Sequence, residues 1–357
     1  MALRADFRKH TLHFRFEAGT SRGVLTQRNT WYLRLYDNNN PSLSGIGECS
    51  PLSGLSVDDR PDFEDKLAEL CRKIANAEAG QEDEIGRQWI GNGFPAIQFG
   101  FETALIDLRN GGQKRIFPGP FTDGKQEIEI NGLIWMGKAD FMQRQIEEKL
   151  AQGYRCLKIK IGAIDFQTEC KLLASIRERF PASRITLRVD ANGAFSPEEA
   201  LHKLSTLAAF DLHSIEQPIK AGQWTAMQQL CRATPLPIAL DEELIGISEP
   251  SSKQELLQFI QPQFIILKPT LLGGFRHTQE WIDLAEKMKM GWWITSALES
   301  NIGLNAISQF TASLHPLLPQ GLGTGQLYHN NISAPLEIRR GFLRYNPEKE
   351  WGSLVIG

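Results

Sequence analysis

The stretch Leu157-Lys158-Ile159-Lys160-Ile161 decides how the fold of this chain is interpreted. Apolar residues alternate with lysines at period 2, which predicts a β-strand whose two faces differ. If the strand belongs to a parallel sheet that is covered on both sides, the lysines point into an interior. A buried ammonium group is strongly unfavourable unless anions surround it. The chain must therefore bring carboxylates to this place, or the segment is an ordinary edge strand.

The region around this stretch alternates between short apolar runs and amphipathic segments. Eight strands are predicted, at Glu129–Trp135, Cys156–Ile161, Ile185–Val189, Ser214–Glu216, Ile238–Leu240, Phe264–Leu267, Trp292–Thr295 and near Gly321–Gly323. Helices are predicted between them at Lys138–Gln152, Phe166–Arg179, Pro197–Ala208 and His277–Met288. Alternation of this length predicts parallel βαβ units, and eight strands favour an α/β barrel over an open sheet.

The residues before this region predict a small α+β unit. Its predicted elements are strands at Lys9–Phe16 and Asn29–Tyr36, a glycine-rich loop at Ala18–Val24 between them, and helices at Asp59–Ala75 and Ala96–Asn110. At the other end of the chain, Ser333–Trp351 has strand-like and loop-like patterns in place of a final helix. We expect this tail to return to the first unit.

Composition excludes several classes of protein. With a net charge of −3 and no basic run, the chain lacks the electrostatic signature of a nucleic-acid-binding protein. No apolar stretch approaches the length of a membrane span, and the charged first residues disfavour a secretory signal. The five cysteines are widely spaced and form no CxxC pair. This usage disfavours a disulfide framework and predicts a cytoplasmic location.

Charged residues recur where the predicted barrel strands end. They are Asp190, Glu216, Asp241 and Lys268, at intervals of 26, 25 and 27 residues, which is about one strand plus one helix. Active sites of barrels lie at this face, because only there do side chains from several strands converge with the loops. Lys158 and Lys160 share one face of their strand, and Arg188 shares a face with Asp190. We therefore expect the polar face of these strands to point into the barrel.

Three carboxylates from consecutive strands would form an oxygen-rich site suited to a hard divalent cation such as Mg²⁺. No histidine or cysteine follows these strands, which disfavours zinc. Lys160 and Lys268 would flank the site from nearly opposite strands. A cation next to a substrate carboxylate stabilises the enediolate that forms when an α-proton leaves, and a neutral lysine can remove that proton. Lys158, one pleat deeper, would favour the neutral form of Lys160.

Each feature taken alone has an ordinary explanation. Lysines on a strand are usually solvated at a sheet edge, and an aspartate before Ala-Asn-Gly can belong to a turn or a helix N-cap. Lys268 alone could equally be the Schiff-base lysine of an aldolase barrel that needs no metal. The regular spacing and the shared strand ends make a chance grouping the minor explanation.

This constellation resembles the enolase superfamily, in its muconate-lactonizing subgroup. The Lys-x-Lys of the second strand, the acidic residues of the next three strands and the lysine of the sixth match in order. The resemblance covers the chain and implies a modified (β/α)7β TIM-type barrel at residues 129–325, with an α+β capping domain at residues 1–128 plus the tail, about residues 326–357. It also implies that Asp190, Glu216 and Asp241 bind Mg²⁺, with Mn²⁺ as a substitute, and that Lys160 and Lys268 form the acid/base pair.

Within the subgroup, four features resemble the o-succinylbenzoate synthase family: Asn131-Gly132-Leu133, Arg188, Thr295–Gly303 and Gly321–Gly325. The resemblance implies dehydration of 2-succinyl-6-hydroxy-2,4-cyclohexadiene-1-carboxylate to o-succinylbenzoate in menaquinone biosynthesis. Lys160 would remove the α-proton and protonate the departing hydroxyl, Lys268 would stabilise the enediolate, and Lys158 would support them. Substrate contacts are expected from Arg188, Asn192, Ser296, Glu299, Ser300, Gly321, Gly323 and Arg22. Gly19–Val24 and Ser50–Leu55 would be the capping loops over the substrate.

Other reactions of the superfamily begin with the same proton abstraction. N-acylamino acid racemisation and muconate cycloisomerisation stay open as alternatives. Dipeptide epimerases carry an Asp-x-Asp pair on the eighth strand, where this chain has Gly321-Leu322-Gly323-Thr324, so that alternative is disfavoured. The expected partner is a small-molecule carboxylate, with no nucleic acid or membrane, and the chain is expected to be a monomer or a homo-oligomer.

Overall fold

The fold was analysed in a computed structural model that describes residues 3–20, 23–77 and 80–354. The chain begins with an antiparallel sheet of three strands, β1 (Leu3–Thr20), β2 (Gly23–Asp37) and β3 (Asn40–Cys49), in that order. The helices that follow are α1 (Phe63–Asn76), the short α2 (Glu82–Glu84) with a π-helical turn at Ile85–Ile90, and α3 (Pro95–Arg109). This is the predicted α+β unit, with strands that extend well beyond their predicted ends.

The second sheet contains seven parallel strands in chain order. After β4 (Glu127–Glu129), these are β5 (Gly132–Ile134), β6 (Cys156–Lys160), β7 (Thr186–Asp190), β8 (Ser214–Glu216), β9 (Ile238–Leu240), β10 (Phe264–Leu267) and β11 (Gly291–Ile294). The helices between and after them are α4 (Ala139–Ala151), α5 (Phe166–Arg179), α6 (Pro197–Ala208), α7 (Trp224–Ala233), α8 (Pro250–Ile260), α9 (Pro269–Leu272), α10 (Gly274–Lys287) and α11 (Asn301–Ser313). Strand–helix alternation is therefore that of a (β/α)-barrel, as predicted.

Gln320 and Gly321 close the barrel between its first and last strands. Gly321 N donates to Ile294 O at 2.8 Å, and on the other side Gln320 N donates to Glu129 O at 2.8 Å. Gln320 pairs with Ile130 and Gly321 pairs with Thr295, both in parallel orientation. The segment therefore acts as the eighth strand, one residue before its predicted position. The side-chain amide of Gln320 is fully buried and accepts from Ile294 N at 2.7 Å, which fixes the closure.

The tail returns to the start of the chain at two places. Arg15 N donates to Leu327 O and His329 N donates to His13 O, both at 2.9 Å, which joins the tail to β1. The last two strands, β12 (Leu336–Arg339) and β13 (Phe342–Tyr345), form a three-stranded antiparallel sheet with β4. The tail therefore contacts both the capping sheet and the base of the barrel.

Three long helices, α7, α8 and α11, were not predicted from the sequence, and neither were the short helices α2 and α9. The clearest case is α11, where every residue from Ile302 to Ala312 is buried. A helix that is buried on all sides has no exposed polar face, which is the feature that marks a surface helix. In α11 the polar residues Asn305, Ser308 and Gln309 are themselves buried. No helix of the described chain is long and apolar enough to cross a membrane, and all five cysteines are free.

Close backbone packing of β3 on α3 joins the sheet and helices of the capping unit. A Cβ added at Gly47 would lie 1.8 Å from Gly100 O, and one at Gly45 would lie 2.0 Å from Ala104 O. Both obstacles are backbone atoms of α3, which cannot rotate away. The strand therefore requires glycine at these two positions.

We expect Gly47→Ala to lower the free energy of unfolding by about 3 kcal/mol or more, because the added methyl group must push β3 away from α3. Gly119→Ala is the matched control, since a Cβ there would meet no atom within 4 Å and its φ is not positive. Chemical denaturation of both variants measures the difference. Equal stability of the two variants would contradict the packing argument.

Candidate active site

Strand register brings the predicted charged residues to one end of the barrel. Lys160 pairs with Asp190, and Asp190 pairs with Glu216 across β6, β7 and β8. Glu216 pairs with Ala239, so Asp241 lies two residues further along β9. A shift of two residues keeps a side chain on the same face of its strand, and the tilt of barrel strands produces such shifts. The residues therefore point inward at about the same height.

The buried lysines of β6 meet the anions that the sequence required. Lys158 Nζ lies 2.9 Å from Asp190 Oδ2 and also contacts Glu216 Oε2. Lys160 Nζ donates to Asp190 Oδ2 at 3.1 Å and to Asn192 Oδ1 at 2.6 Å. These contacts pair both ammonium groups with anionic or polar oxygens, so the strand is interior and not an edge.

Lys268 forms a second ion pair at the end of β10, where it contacts Asp241 Oδ2. In strand order, β10 is four steps from β6 in a ring of eight, so Lys268 and Lys160 approach the centre from opposite sides. Lys160, Lys268 and Asp190 all line the same cavity. This is the arrangement that the sequence predicted for the two flanking lysines.

The charges of the site shift one another's protonation. Burial alone would lower the pKa of Lys158, but Asp190, Glu216 and Asp241 outweigh burial and raise it. Burial would raise the pKa of Asp190, but Lys158 and Lys160 hold it well below its usual range. Burial, with the Asp190 charge added, raises the pKa of Glu216. The pKa of Lys268 is raised because Asp241 and other carboxylates outweigh its burial.

The three carboxylates fit a hard divalent cation by their chemistry. Only oxygen donors are offered by Asp190, Glu216 and Asp241, and the first two already share one ammonium group. Glu216 Oε1 is buried and accepts no hydrogen bond, so it has an open coordination position. Within residues 3–20, 23–77 and 80–354, no three acidic, histidine or cysteine side chains already surround one point at metal-binding distances. Lysine ammonium groups lie among the carboxylates instead.

A cavity of about 410 Å³ lies above this charged floor. Eight of the predicted site residues line it: Lys158, Lys160, Lys268, Asp190, Asn192, Ser296, Gly321 and Gly323. Glu216 and Asp241 do not line it themselves but contact lysines that do. The opposite wall is apolar and comes largely from the capping unit and nearby loops, with Phe16, Leu52, Leu55, Trp135, Leu298 and Leu327. The site therefore combines a charged floor with an apolar roof.

Three predicted substrate contacts lie away from the cavity. Arg188 is 1% exposed, stacks over Trp293 at 4.0 Å and donates to Pro319 O at 2.8 Å, one layer below the carboxylates. Glu299 accepts one hydrogen bond from the Thr270 hydroxyl and another from Ala297 N, which lies in the same loop as Glu299. Ser300 donates to a glutamate of the capping sheet. These three side chains form hydrogen bonds within the fold and therefore point away from the cavity. Arg22 lies outside the described residues.

Two residues of the site were not assigned from the sequence. Glu242 lines the cavity and accepts from Asn192 Nδ2 at 2.9 Å, and burial raises its pKa. Asn131 lines the cavity with its Oδ1 buried and without a hydrogen bond. The sequence signals were present, since Glu242 follows Asp241 directly and Asn131 interrupts the first barrel strand.

Comparison with known proteins identifies the family. Residues 141–350 match the family model described as enolase C-terminal domain-like. The chain is 48% identical to the o-succinylbenzoate synthase of Desulfotalea psychrophila, over 95% of this chain and 98% of that protein. The crystal structure of MenC from the same organism aligns with a TM-score of 0.86 at 45% identity, covering 96% of this chain and all of the other. An N-succinylamino acid racemase of Thermus thermophilus is 29% identical over 82% of this chain and 77% of its own length.

Removing the ammonium group of Lys158 tests whether it balances the charges of Asp190 and Glu216. We expect Lys158→Met, measured without divalent cations, to lower the free energy of unfolding by about 3–5 kcal/mol, because two buried carboxylates lose their shared partner. Added Mg²⁺ should restore more stability to this variant than it adds to the unchanged protein. Arg144→Met is the control, since its ion pair with Asp140 is exposed and contributes little to stability. A loss in Lys158→Met as small as in the control would contradict the analysis.

Proposed function

Because the chain belongs to the enolase C-terminal domain-like family, we propose that it dehydrates 2-succinyl-6-hydroxy-2,4-cyclohexadiene-1-carboxylate to o-succinylbenzoate. It acts as a hydro-lyase. The observation that carries the chemistry is the convergence of Lys160 and Lys268 on one cavity beside three buried carboxylates. The observation that favours this substrate is the 48% identity to an o-succinylbenzoate synthase over almost the full length of both chains.

Lys160 is the base in the proposed reaction. Its neutral amine takes the proton from the ring carbon that bears the carboxylate, and the C–H electron pair passes into the enediolate. Lys268, as an ammonium on the opposite side, balances the developing negative charge. The electron pair then returns through the ring and expels the hydroxyl at the neighbouring carbon. Lys160 gives that hydroxyl the proton it had gained, so water leaves and the ring becomes aromatic.

Mg²⁺ is the proposed cofactor, with Mn²⁺ as a substitute. Asp190, Glu216 and Asp241 would hold it through carboxylate oxygens, and the bound cation would supply positive charge to the substrate carboxylate as the enediolate forms. Lys158 would help to hold that carboxylate and would favour the ionised form of Asp190. Asn192 accepts a hydrogen bond from Lys160 at 2.6 Å, which aims the amine at the cavity.

The capping unit and the barrel are proposed as two domains, residues 1–128 with the tail from about residue 326, and residues 129–325. The apolar roof from Leu52 and Leu55 fits the ring of the substrate, because it excludes water above the charged floor. The partner is a small carboxylate, and the five free cysteines are consistent with a cytoplasmic location.

Racemisation of N-acyl amino acids is the second candidate. It is favoured by the likeness to an N-succinylamino acid racemase and by the lysines on opposite sides, which could remove and return a proton at one carbon. Dipeptide epimerisation is less favoured, because the segment at Gly321-Leu322-Gly323 brings no carboxylate to hold a substrate ammonium. A Schiff-base role for Lys268 is less favoured too, since Asp241 and the other carboxylates raise the pKa of Lys268 despite its burial and so favour the ammonium form.

Turnover is tested with purified protein, Mg²⁺ and the succinyl-cyclohexadiene acid, and aromatisation is followed by absorbance. We expect steady turnover that stops when EDTA is added and resumes when Mg²⁺ is restored. If no aromatisation occurs while N-succinyl amino acids are racemised, the synthase assignment is wrong. A borohydride-trapped adduct that forms after metal removal would favour the aldolase.

Lys160→Ala should reduce turnover by at least about 1,000-fold, because the proposed acceptor of the α-proton is removed and general-base catalysis is lost. Lys220→Ala, an exposed lysine outside the cavity, is the matched control and should keep normal turnover. Initial rates of both variants with saturating substrate measure the effect. Residual activity in Lys160→Ala near that of the control would remove Lys160 from the proton transfer.

A further inference from the structure

The wall of the cavity is built jointly by the capping unit and the barrel. Leu52 and Leu55 come from the segment after β3, while Ala297 and Leu298 come from the loop after β11. Leu52 and Ala297 pack in one buried cluster. We call the contact between these two segments the seam. The shape of the cavity wall therefore depends on how the capping unit and the barrel are joined there.

Glu48, at the end of β3, joins the units through hydrogen bonds. It is fully buried, and its Oε1 accepts from Thr30 Oγ1 at 2.9 Å and from Ser300 N at 2.8 Å. Its Oε2 accepts from Ser300 Oγ at 2.6 Å and from Gly303 N at 2.8 Å. Ser300 caps α11, so a capping-unit carboxylate lies at the positive end of a barrel helix, where a negative charge is favourable.

Arg28 bonds to both sides of the same seam. This side chain is 6% exposed. Its Nη2 donates to Ser50 O at 2.5 Å in the capping unit, and its Nη1 donates to Ala297 O in the barrel loop. One guanidinium therefore sets the spacing between the two segments that form the wall.

The barrel loop needs such support because its backbone is strained. Leu298 has a φ of +66°, a conformation that a bulky side chain rarely adopts. Strained residues persist only where surrounding contacts hold them. Here Tyr328, from the tail, donates from its hydroxyl to Leu298 O at 2.5 Å. The contacts of Arg28 and Glu48 on either side of Leu298 complete the support.

We propose that Glu48 and Arg28 are positioning residues, which clamp the capping sheet to the loop after β11 and so set the apolar wall against the substrate. The kinetic part of this inference rests on the proposed function. Neither residue lines the cavity among the described residues, so both act through Ala297 and Leu298. Their loss should weaken substrate binding more than it slows the chemical step, because Lys160 and Lys268 are held by other strands.

Glu48→Gln is the sharpest substitution. Each carboxylate oxygen receives one backbone N–H, from Ser300 or from Gly303, and a backbone N–H cannot reverse its role. Glutamine has one acceptor oxygen and one NH₂ group, so one of these two amides must lose its partner. The volume of the side chain is unchanged, which separates the hydrogen-bonding effect from packing.

We expect Glu48→Gln to raise KM roughly tenfold while kcat changes by less than about threefold, as for a loss of uniform binding. Hydrogen exchange of the amides at residues 300–303 should become faster in the same variant. If Glu48→Gln does not fold, Ser300→Ala removes the hydroxyl bonds to Glu48 and to Ile302 N, and it should show the same pattern in KM and kcat at smaller size. An unchanged KM with unchanged exchange overturns the proposal, and so does a fall in kcat at constant KM.

Asp107→Asn is the matched control. Asp107 is another fully buried carboxylate of the capping unit that accepts two backbone N–H groups, from Ile46 and Lys114. It should lose stability while KM stays within about twofold, since these hydrogen bonds do not involve the loop after β11. An equal rise of KM in both variants would mean general destabilisation and would overturn the clamp. If the unchanged protein shows no aromatisation, the proposed function fails, but the exchange comparison still decides the clamp.

Discussion

Charge balance inside the barrel is the constraint on which the other features depend. Two lysines on one short strand are tolerable in an interior only because the next strands bring carboxylates to the same height. Lys158 lies between Asp190 and Glu216, and Lys268 contacts Asp241. Removing either the lysines or the carboxylates would leave buried charges without partners. The loss of stability would exceed what most single contacts contribute. The same balance would create the proposed reactive site, since the carboxylates offer oxygen ligands to a divalent cation and the lysines can exchange protons with a substrate.

The capping unit turns this charged floor into a closed site. An open barrel mouth would leave the lysines solvated, and water would weaken each electrostatic interaction on which proton abstraction depends. Leu52 and Leu55 cover the floor, and the buried contacts of Glu48 and Arg28 hold the cover at a defined distance from the barrel. Binding and chemistry are thereby divided between the two units. In the proposed mechanism, the barrel strands carry the groups that move protons, and the seam between the units shapes the space around the substrate.

Much of the barrel could be predicted because its signals are local. Strands β8, β9 and β10 and helices α5 and α6 have the predicted bounds. The prediction failed for α11, where polar residues such as Asn305, Ser308 and Gln309 are buried with the apolar ones, so no exposed polar face marks the helix. It also assigned Arg188, Glu299 and Ser300 to the substrate. Each is a polar residue near a strand end, as a ligand-binding residue would be, but each bonds to the scaffold: Arg188 to Pro319, Glu299 to Thr270 and Ser300 to Glu48.

What can be inferred from the sequence alone is the inward face of each strand and the order of charged residues around the ring. Period-2 alternation and the length of a strand–helix unit are short-range properties, and parallel strands in chain order convert them directly into positions in space. Which residues line the cavity was decided by tertiary structure. Glu48 meets Ser300 across 252 residues, and Arg28 meets Ala297 across 269. Such contacts depend on how two folded units dock, and no local pattern encodes that geometry.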